Sequence, residues 1–443
     1  MAKEQDMLEI AKSAIATAKK AGAKDASART YRFREVSLDW RDGKAEKITE
    51  ATTRGVTVAV YVDGKYSAAS TSDLRPEALE TFIGDTIALA KAVAPDPYRA
   101  LPDPKLYEGQ ASVDLKLEDP DYVKVTADHA RKAAKAAAEA ARGVKGNEKI
   151  LSASSSFGSS LGETWFVTSN GFSGSTRGTS YSVSSGVSVK DADGRRPEDY
   201  AYASARHISE LADAASIGRL AAERALSRLG AKKGETQATM VAIDNRAGGR
   251  LLSYLGGAMS AASLQQKRSF LEGKLGQPIT AAILSITDDP LVPKGFGSRK
   301  FDNEGIAAKQ RAVIENGVLK TYFVDTYYGR KLNMAPTTAG MSNLSWKYGS
   351  KSQAQLLADM KDGILITGFN GGNSNGGTGD FSVGISGYRV RDGVIAEPLA
   401  EMNVSGNHLE FWKKLVAIGN DPFPYSSLRS PTLVFENVSI AGA

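Results

Sequence analysis

The chain contains no cysteine. That excludes disulfides, thiolate metal ligands and a cysteine nucleophile, and it fits a reducing compartment. Histidine is nearly as scarce: His129, His207 and His408 are the only three in 443 residues, which limits metal and acid–base chemistry severely. No apolar run approaches the roughly 18 residues of a membrane span. The N-terminal stretch from Met1 to Ser27 lacks the apolar core of a signal peptide and reads as an amphipathic helix. These absences predict a cytoplasmic protein without membrane association. Charge of either sign is unexceptional: 56 Lys+Arg against 50 Asp+Glu gives +6, spread without a dense basic run. That balance favours solubility and argues against a nucleic-acid partner.

What is present predicts an α+β protein. A first helix over about Glu4–Ala21 is followed by strand-like segments at Arg29–Trp40, Lys44–Thr52, Gly55–Val62 and Lys65–Ser70. Asp42-Gly43 and Asp63-Gly64 mark tight hairpins between them. A helix from about Arg75 to Val93 follows, then a proline-rich connection over residues 94–120. The order then repeats: a helix over Tyr122–Arg142, strands at Lys149–Phe157, Thr164–Ser169, Gly171–Arg177 and Tyr181–Val189, and a closing helix from about His207 to Leu229. Thr53-Arg54-Gly55 and Thr176-Arg177-Gly178 fall at similar points, so the pattern reads as a duplicated helix–antiparallel strands–helix unit. The predicted domains are therefore 1–230, with subunits 1–93 and 121–230 joined by 94–120, and a β-rich 231–443 with a central helix.

That helix is Arg246–Ala262, with Leu251, Leu255 and Met259 at helical spacing. Gly256 and Gly257 lie inside it at a cost of about 1 kcal/mol each relative to alanine. Their presence predicts a close packing partner. Further on, Gly368–Asp380 is glycine-rich, but it lacks the Gly-Lys-Ser/Thr of a phosphate-binding loop and leads into an alternating strand. It reads as a wide hairpin or a flexible active-site loop. The acidic clusters Asp288-Asp289 and Asp302–Glu304 lack regular calcium-loop spacing and read as turn and cap chemistry. No G-x-S-x-G motif supports a serine hydrolase. His408, after Asn407 at a helix start, reads as a solvent-exposed first-turn residue, and none of the three histidines reads as a metal ligand.

Several stretches in order resemble the TldD/PmbA family, also called modulators of DNA gyrase. They are TDDP (287–290), GS (297–298), FDNEG (301–305), IENGVLKTYFVDT (314–326), TTAG (337–340), the run 376–407 and AIGND (417–421). The resemblance is strong from about residue 235 onward and looser before it. It implies one of two branches: a TldD-like zinc metallopeptidase subunit with HExxxH on a helix and a further cysteine near the C-terminus, or a PmbA/TldE-like partner lacking both. The motif positions fall here on Ser253, Tyr254 and Ala258, and the tail has Ser426 and Ser427 where the cysteine would stand. A zinc peptidase needs imidazole, carboxylate or thiolate donors and a general base. The resemblance therefore implies a non-catalytic subunit with no cofactor of its own. It would pair with a zinc-bearing TldD-like subunit in a heterodimer that handles small or unfolded peptides. Asn370, Gly371, Gly372, Gly376, Gly377 and Asp380 are candidates for a peptide-chamber loop. Two alternatives stay open: a stand-alone homodimeric peptidase or hydrolase with an unrecognised site, and a binding or scaffold protein linked to gyrase modulation.

Overall fold

One supersecondary pattern, helix–three strands–helix, is laid down twice before residue 230. The computed structural model describes residues 2–442. The first copy is α1 (Ala2–Lys20), β1 (Asp25–Arg41), β2 (Lys44–Val62), β3 (Lys65–Thr71) and α2 (Pro76–Ala92). The second is α3 (Ala127–Arg142), β4 (Ile150–Thr168), β5 (Ser173–Val189), β6 (Glu198–Ala205) and α4 (Ala214–Leu226). Both contribute to a single antiparallel sheet of order β3-β2-β1-β4-β5-β6, joined where β1 pairs with β4. Thr53-Arg54-Gly55 and Thr176-Arg177-Gly178 occupy the second strand of each copy. These triplets do not interrupt their strands, so pairs of segments expected as separate strands merge into β2 and β5.

All four helices cover the same face of this sheet. On β1, Ala26 and Ala28 pack with α1 and α2, while Leu38 packs with α3 and α4, and the three share one side of the strand. The alanine-rich α3 lets α4 approach closely: a methyl added at Gly218 would lie 1.9 Å from the Ala137 carbonyl oxygen. The closing helix is shorter than the sequence suggested. It begins at Ala214, where the Asp213 side chain accepts from the Ser216 amide at 2.9 Å, and His207 precedes a separate 3-10 turn. The opposite sheet face carries small residues, among them the cross-strand pairs Ser154–Gly186, Ser156–Ser184 and Gly158–Ser182.

The second half follows with β7 (Gln237–Ile243), α5 (Asn245–Ala258) and α6 (Ala261–Gln265), then β8 (Ile286–Asp289), β9 (Arg311–Glu315) and β10 (Val318–Leu319). After α7 (Thr326–Leu332), β11 (Asn343–Trp346) and α8 (Gln353–Met360) come β12 (Gly363–Ser374), β13 (Asp380–Arg391), β14 (Val394–Asn407), α9 (His408–Lys413), β15 (Leu415–Ile418) and β16 (Leu433–Ala441). β10-β9-β8-β11 form a small antiparallel sheet. The order β14-β13-β12-β7-β16 closes into a ring because β14 also pairs with β16 at Asn403–Ala441 and Val404–Ile440. The pairing is antiparallel throughout except between β7 and β12. No described helix is long and apolar enough to cross a membrane.

The expected central helix is two helices. α5 ends at Ala258, and Ser260 caps α6 by accepting from the Ser263 amide at 3.2 Å. Leu251, Leu252, Leu255 and Ala258 bury one face of α5 in the core between the two sheets of this half. Its glycines differ in their reasons. A methyl at Gly248 would strike Ser430 Oγ at 2.2 Å and one at Gly256 the Met341 methyl at 2.3 Å, whereas Gly257 has open space around it. The close-packing expectation thus holds at Gly256 and fails at Gly257.

Candidate functional site

α5 is placed by its first turn. The Asp244 carboxylate accepts from the Arg246 amide at 3.0 Å, and Asn245 Nδ2 donates to the Asp421 carbonyl at 2.8 Å, tying the helix to the C-terminal tail. Along the tail, Trp346 Nε1 donates to Leu428 O at 2.8 Å, and Ser426 Oγ accepts from the Leu428 amide at 3.1 Å. Ser426 therefore holds a turn.

The three motif positions are committed to the scaffold. Ser253, exposed, donates its hydroxyl to the Arg250 carbonyl at 2.6 Å, one turn back. The half-buried Tyr254 hydroxyl accepts from Arg250 Nε at 3.2 Å, and its ring lies 5.3 Å from that of His408. Ala258 is buried. None offers an imidazole, carboxylate or thiolate, so zinc does not fit this set. Among the described residues no cluster of three or more His, Asp or Glu is arranged to hold a metal ion.

Arg250 links this helix to the glycine-rich stretch. Its Nη atoms donate to the carbonyls of Phe369 at 3.2 Å and Gly371 at 2.9 Å. Among the described residues β12 pairs with β7 only over Ile364–Ile366, so these carbonyls lie on a part of β12 whose β7 side has no strand partner there. The glycine-rich stretch is a hairpin, with a bulge between Asn370 and Asn373 and left-handed backbone at Gly371 (φ 57°) and Gly372 (φ 82°). At the tip, the Gly376 carbonyl accepts from the Phe270 amide at 2.7 Å and Asn375 Oδ1 accepts from the Gly377 amide at 2.9 Å. The Asp380 carboxylate accepts from Asn407 at 3.0 Å and Thr378 at 2.7 Å, and these bonds lower its pKa. The six chamber candidates therefore divide: Asn370 and Gly371 sit beside α5, Gly372 on the bulge, and Gly376, Gly377 and Asp380 at the tip.

His408 corrects the sequence reading. It is fully buried, stacked on Phe381 at 4.6 Å and Phe270 at 5.3 Å. Asn407 caps α9, which turns the first helical side chain inward beneath the hairpin. Its Nε2 lies 2.9 Å from Ser374 Oγ, and its Nδ1 is buried without a hydrogen-bond partner among the described residues. Burial lowers its pKa to about 4, so the ring is neutral at pH 7. The other two histidines are peripheral: His129 is exposed in the first turn of α3, and His207 contacts the Lys116 carbonyl at 3.0 Å. The acidic clusters are turn chemistry: Asp288 accepts from the Ser342 amide at 2.6 Å, and Asp302 from the Glu304 amide at 2.9 Å.

The cavity beside this site was not foreseen. It has a volume of about 920 Å³ and lies between the open, serine-rich face of the large sheet, the N-terminal turns of α5 and the free part of β12. Arg41, Arg196, Arg228, Arg246 and Arg250 line it. Buried Asp199 accepts from Arg246 Nη1 at 3.1 Å, and its other carboxylate oxygen forms an ion pair with Arg228 Nε at 3.0 Å. Arg246 and Arg250 are four apart in the sequence, the spacing of one helix face. Their acceptors on β6 and β12 are 47 and 119 residues away, however, and nothing local announces them.

Comparison with known proteins extends this geometry. The PmbA/TldA metallopeptidase domain 1 model matches residues 26–94, the central-domain model 120–229 and the C-terminal-domain model 236–442. The chain is 30% identical to the metalloprotease PmbA of Escherichia coli O157:H7, over 97% of this chain and 94% of that protein. It is 30% identical to the PmbA homolog of Haemophilus influenzae, over 100% and 97%. Among solved structures, a protein named as a modulator of DNA gyrase from Bacteroides thetaiotaomicron superposes with a TM-score of 0.95 at 40% identity, covering 98% of each chain. TldE from Thermococcus kodakarensis shares the fold, with a TM-score of 0.86 at 19% identity over 98% of this chain and 100% of that one. With all three domain models in order and relatives matched almost end to end, the chain belongs to the PmbA/TldD family of metalloprotease-like proteins.

Proposed function

We propose that this chain is the non-catalytic, PmbA/TldE-like subunit of a cytoplasmic two-subunit zinc metalloprotease that acts on small or unfolded peptides. The zinc and the general base belong to a TldD-like partner, and this chain contributes walls of the peptide chamber. The observation that carries the reading is α5 itself. In the resemblance to TldD this helix carries the zinc motif, and here Ser253 and Tyr254 spend their polar atoms on Arg250 while Ala258 is packed in the core. The freed helix serves as a clasp for β12. Support for peptide handling comes from the unpaired side of β12 beside a large polar cavity, since extended peptides are held through backbone hydrogen bonds with little sequence preference.

The test is co-purification of the tagged full chain from its native cell extract, with zinc quantified in the eluate. A stoichiometric TldD-like partner carrying the zinc supports the reading. Recovery of a homodimer that cleaves peptides unaided favours the stand-alone peptidase. The Ser374–His408 contact is a candidate nucleophile pair for that alternative, and among the described residues no carboxylate meets the His408 Nδ1 to orient the imidazole.

A further inference from the structure

Guanidinium groups outnumber their acceptors around the interdomain cavity. Five arginines line it against two acids, Glu198 and Asp199. Outside the lining, Glu46 takes Arg41 Nε at 3.0 Å and Asp244 lies 3.5 Å from Arg246 Nε. Each nitrogen of Arg228 already faces an acceptor: the Glu198 carbonyl, Ser386 Oγ and, in an ion pair, Asp199. Arg250 is taken by Tyr254 and two β12 carbonyls. That leaves Arg196, which has no hydrogen-bond or ion-pair acceptor among the described residues, and Arg246, whose buried Nε has no hydrogen bond. Arg196 also borders a second recess of about 240 Å³ that shares Arg228, Asn370 and Ser386 with the first, so it stands where the two spaces meet.

A structural explanation accounts for part of this cluster. Arg224 and Arg228 donate to the carbonyls of Tyr200 and Glu198, which cover the outer edge of β6, and Arg246 with Asp199 joins α5 to that strand. It accounts neither for Arg196 nor for the room left in front of it. Ser152, Ser154, Gly186 and Ser188 supply that room, being too short to fill the space or to bring an opposing charge.

We infer that this cavity is a carboxylate-binding site that receives the negative end of an extended peptide, with Arg196 and Arg246 as its principal donors and Asn370 at its mouth. The inference rests on the peptide-chamber reading above and adds a preference to it. Planar guanidinium forks match carboxylates, and a cavity walled by cations concentrates anionic ligands within it. The carboxylate comes either from a peptide C-terminus or from an Asp or Glu side chain near it.

The experiment is fluorescence anisotropy of the full chain with three labelled ten-residue Gly/Ser/Ala peptides: one with a free C-terminus, one amidated, and one amidated with a Glu near its end. The free-acid peptide is expected to bind about tenfold more tightly than the amide at low salt, an advantage that shrinks as salt is raised. Arg196→Gln, at an exposed position with no partner to lose, should erase most of that advantage and leave binding of the amide unchanged. If the Glu peptide matches the free acid, the acidic side chain is a source of the carboxylate; if it matches the plain amide, the C-terminus alone is. Equal binding of all three peptides, with Arg196→Gln indifferent, overturns the carboxylate site and leaves the peptide chamber standing. No binding of any peptide, by the chain alone or with its partner, overturns both.

Discussion

Arg250 Nε donates to the Tyr254 hydroxyl at 3.2 Å, and the same guanidinium holds the Phe369 and Gly371 carbonyls. A residue at a motif position thereby braces the arginine that fixes the free side of β12. Arg250→Met should destabilise the chain by about 1–2 kcal/mol and speed amide exchange across 367–375. Tyr254→Phe removes one neutral acceptor and should cost less than about 1 kcal/mol. Exchange measured by mass spectrometry with melting curves checks both, and an unchanged hairpin in Arg250→Met would refute the clasp.

His408 makes stability depend on pH. Its folded pKa of about 4 lies below its ordinary 6.5, so between these values the unfolded chain takes up a proton that the folded chain excludes. The contribution is present in full above pH 6.5 and is lost as pH falls toward 4, amounting to at most about 3 kcal/mol. His408→Phe, which keeps an aromatic ring between Phe270 and Phe381, should show a smaller drop in melting temperature between pH 7 and 4.5. Identical drops in both proteins would show that His408 does not titrate in this way.

Two glycines should respond in opposite directions. Gly218→Ala drives a methyl to 1.9 Å from the Ala137 backbone oxygen, forcing α3 and α4 apart at about 2–3 kcal/mol. Gly257→Ala meets nothing within 4 Å and should stabilise by about 0.5–1 kcal/mol through helix propensity alone. Chemical denaturation of the two variants decides whether helix contact or backbone entropy governs each site.

The duplicated α+β pattern could be read because periodicity and hairpin dipeptides are local signals, and Asp42-Gly43 does turn β1 into β2. Element ends were less legible: α5 stops at Ala258 because Ser260 starts a new helix, and the Ala261 amide donates to the distant Phe323 carbonyl at 2.9 Å. His408 was misread for a similar reason. Its position after Asn407 indicates a helix start, but the rings that bury it come from Phe270, Phe381 and Tyr254. The arginine-lined cavity was invisible because its walls come from β4, β5, β6, α5 and β12, and only folding sets Asp199 between Arg228 and Arg246.

As proposed above, this chain completes a zinc protease without holding the zinc. The measurement is metal content and cleavage of an unstructured peptide for the purified chain after zinc loading and desalting, alone and mixed with a TldD-like subunit from the same cell. Alone, the chain is expected to hold far less than one zinc and to show no cleavage, with zinc and activity appearing together in the mixed complex. One tightly held zinc per chain, or cleavage by the chain by itself, would contradict it.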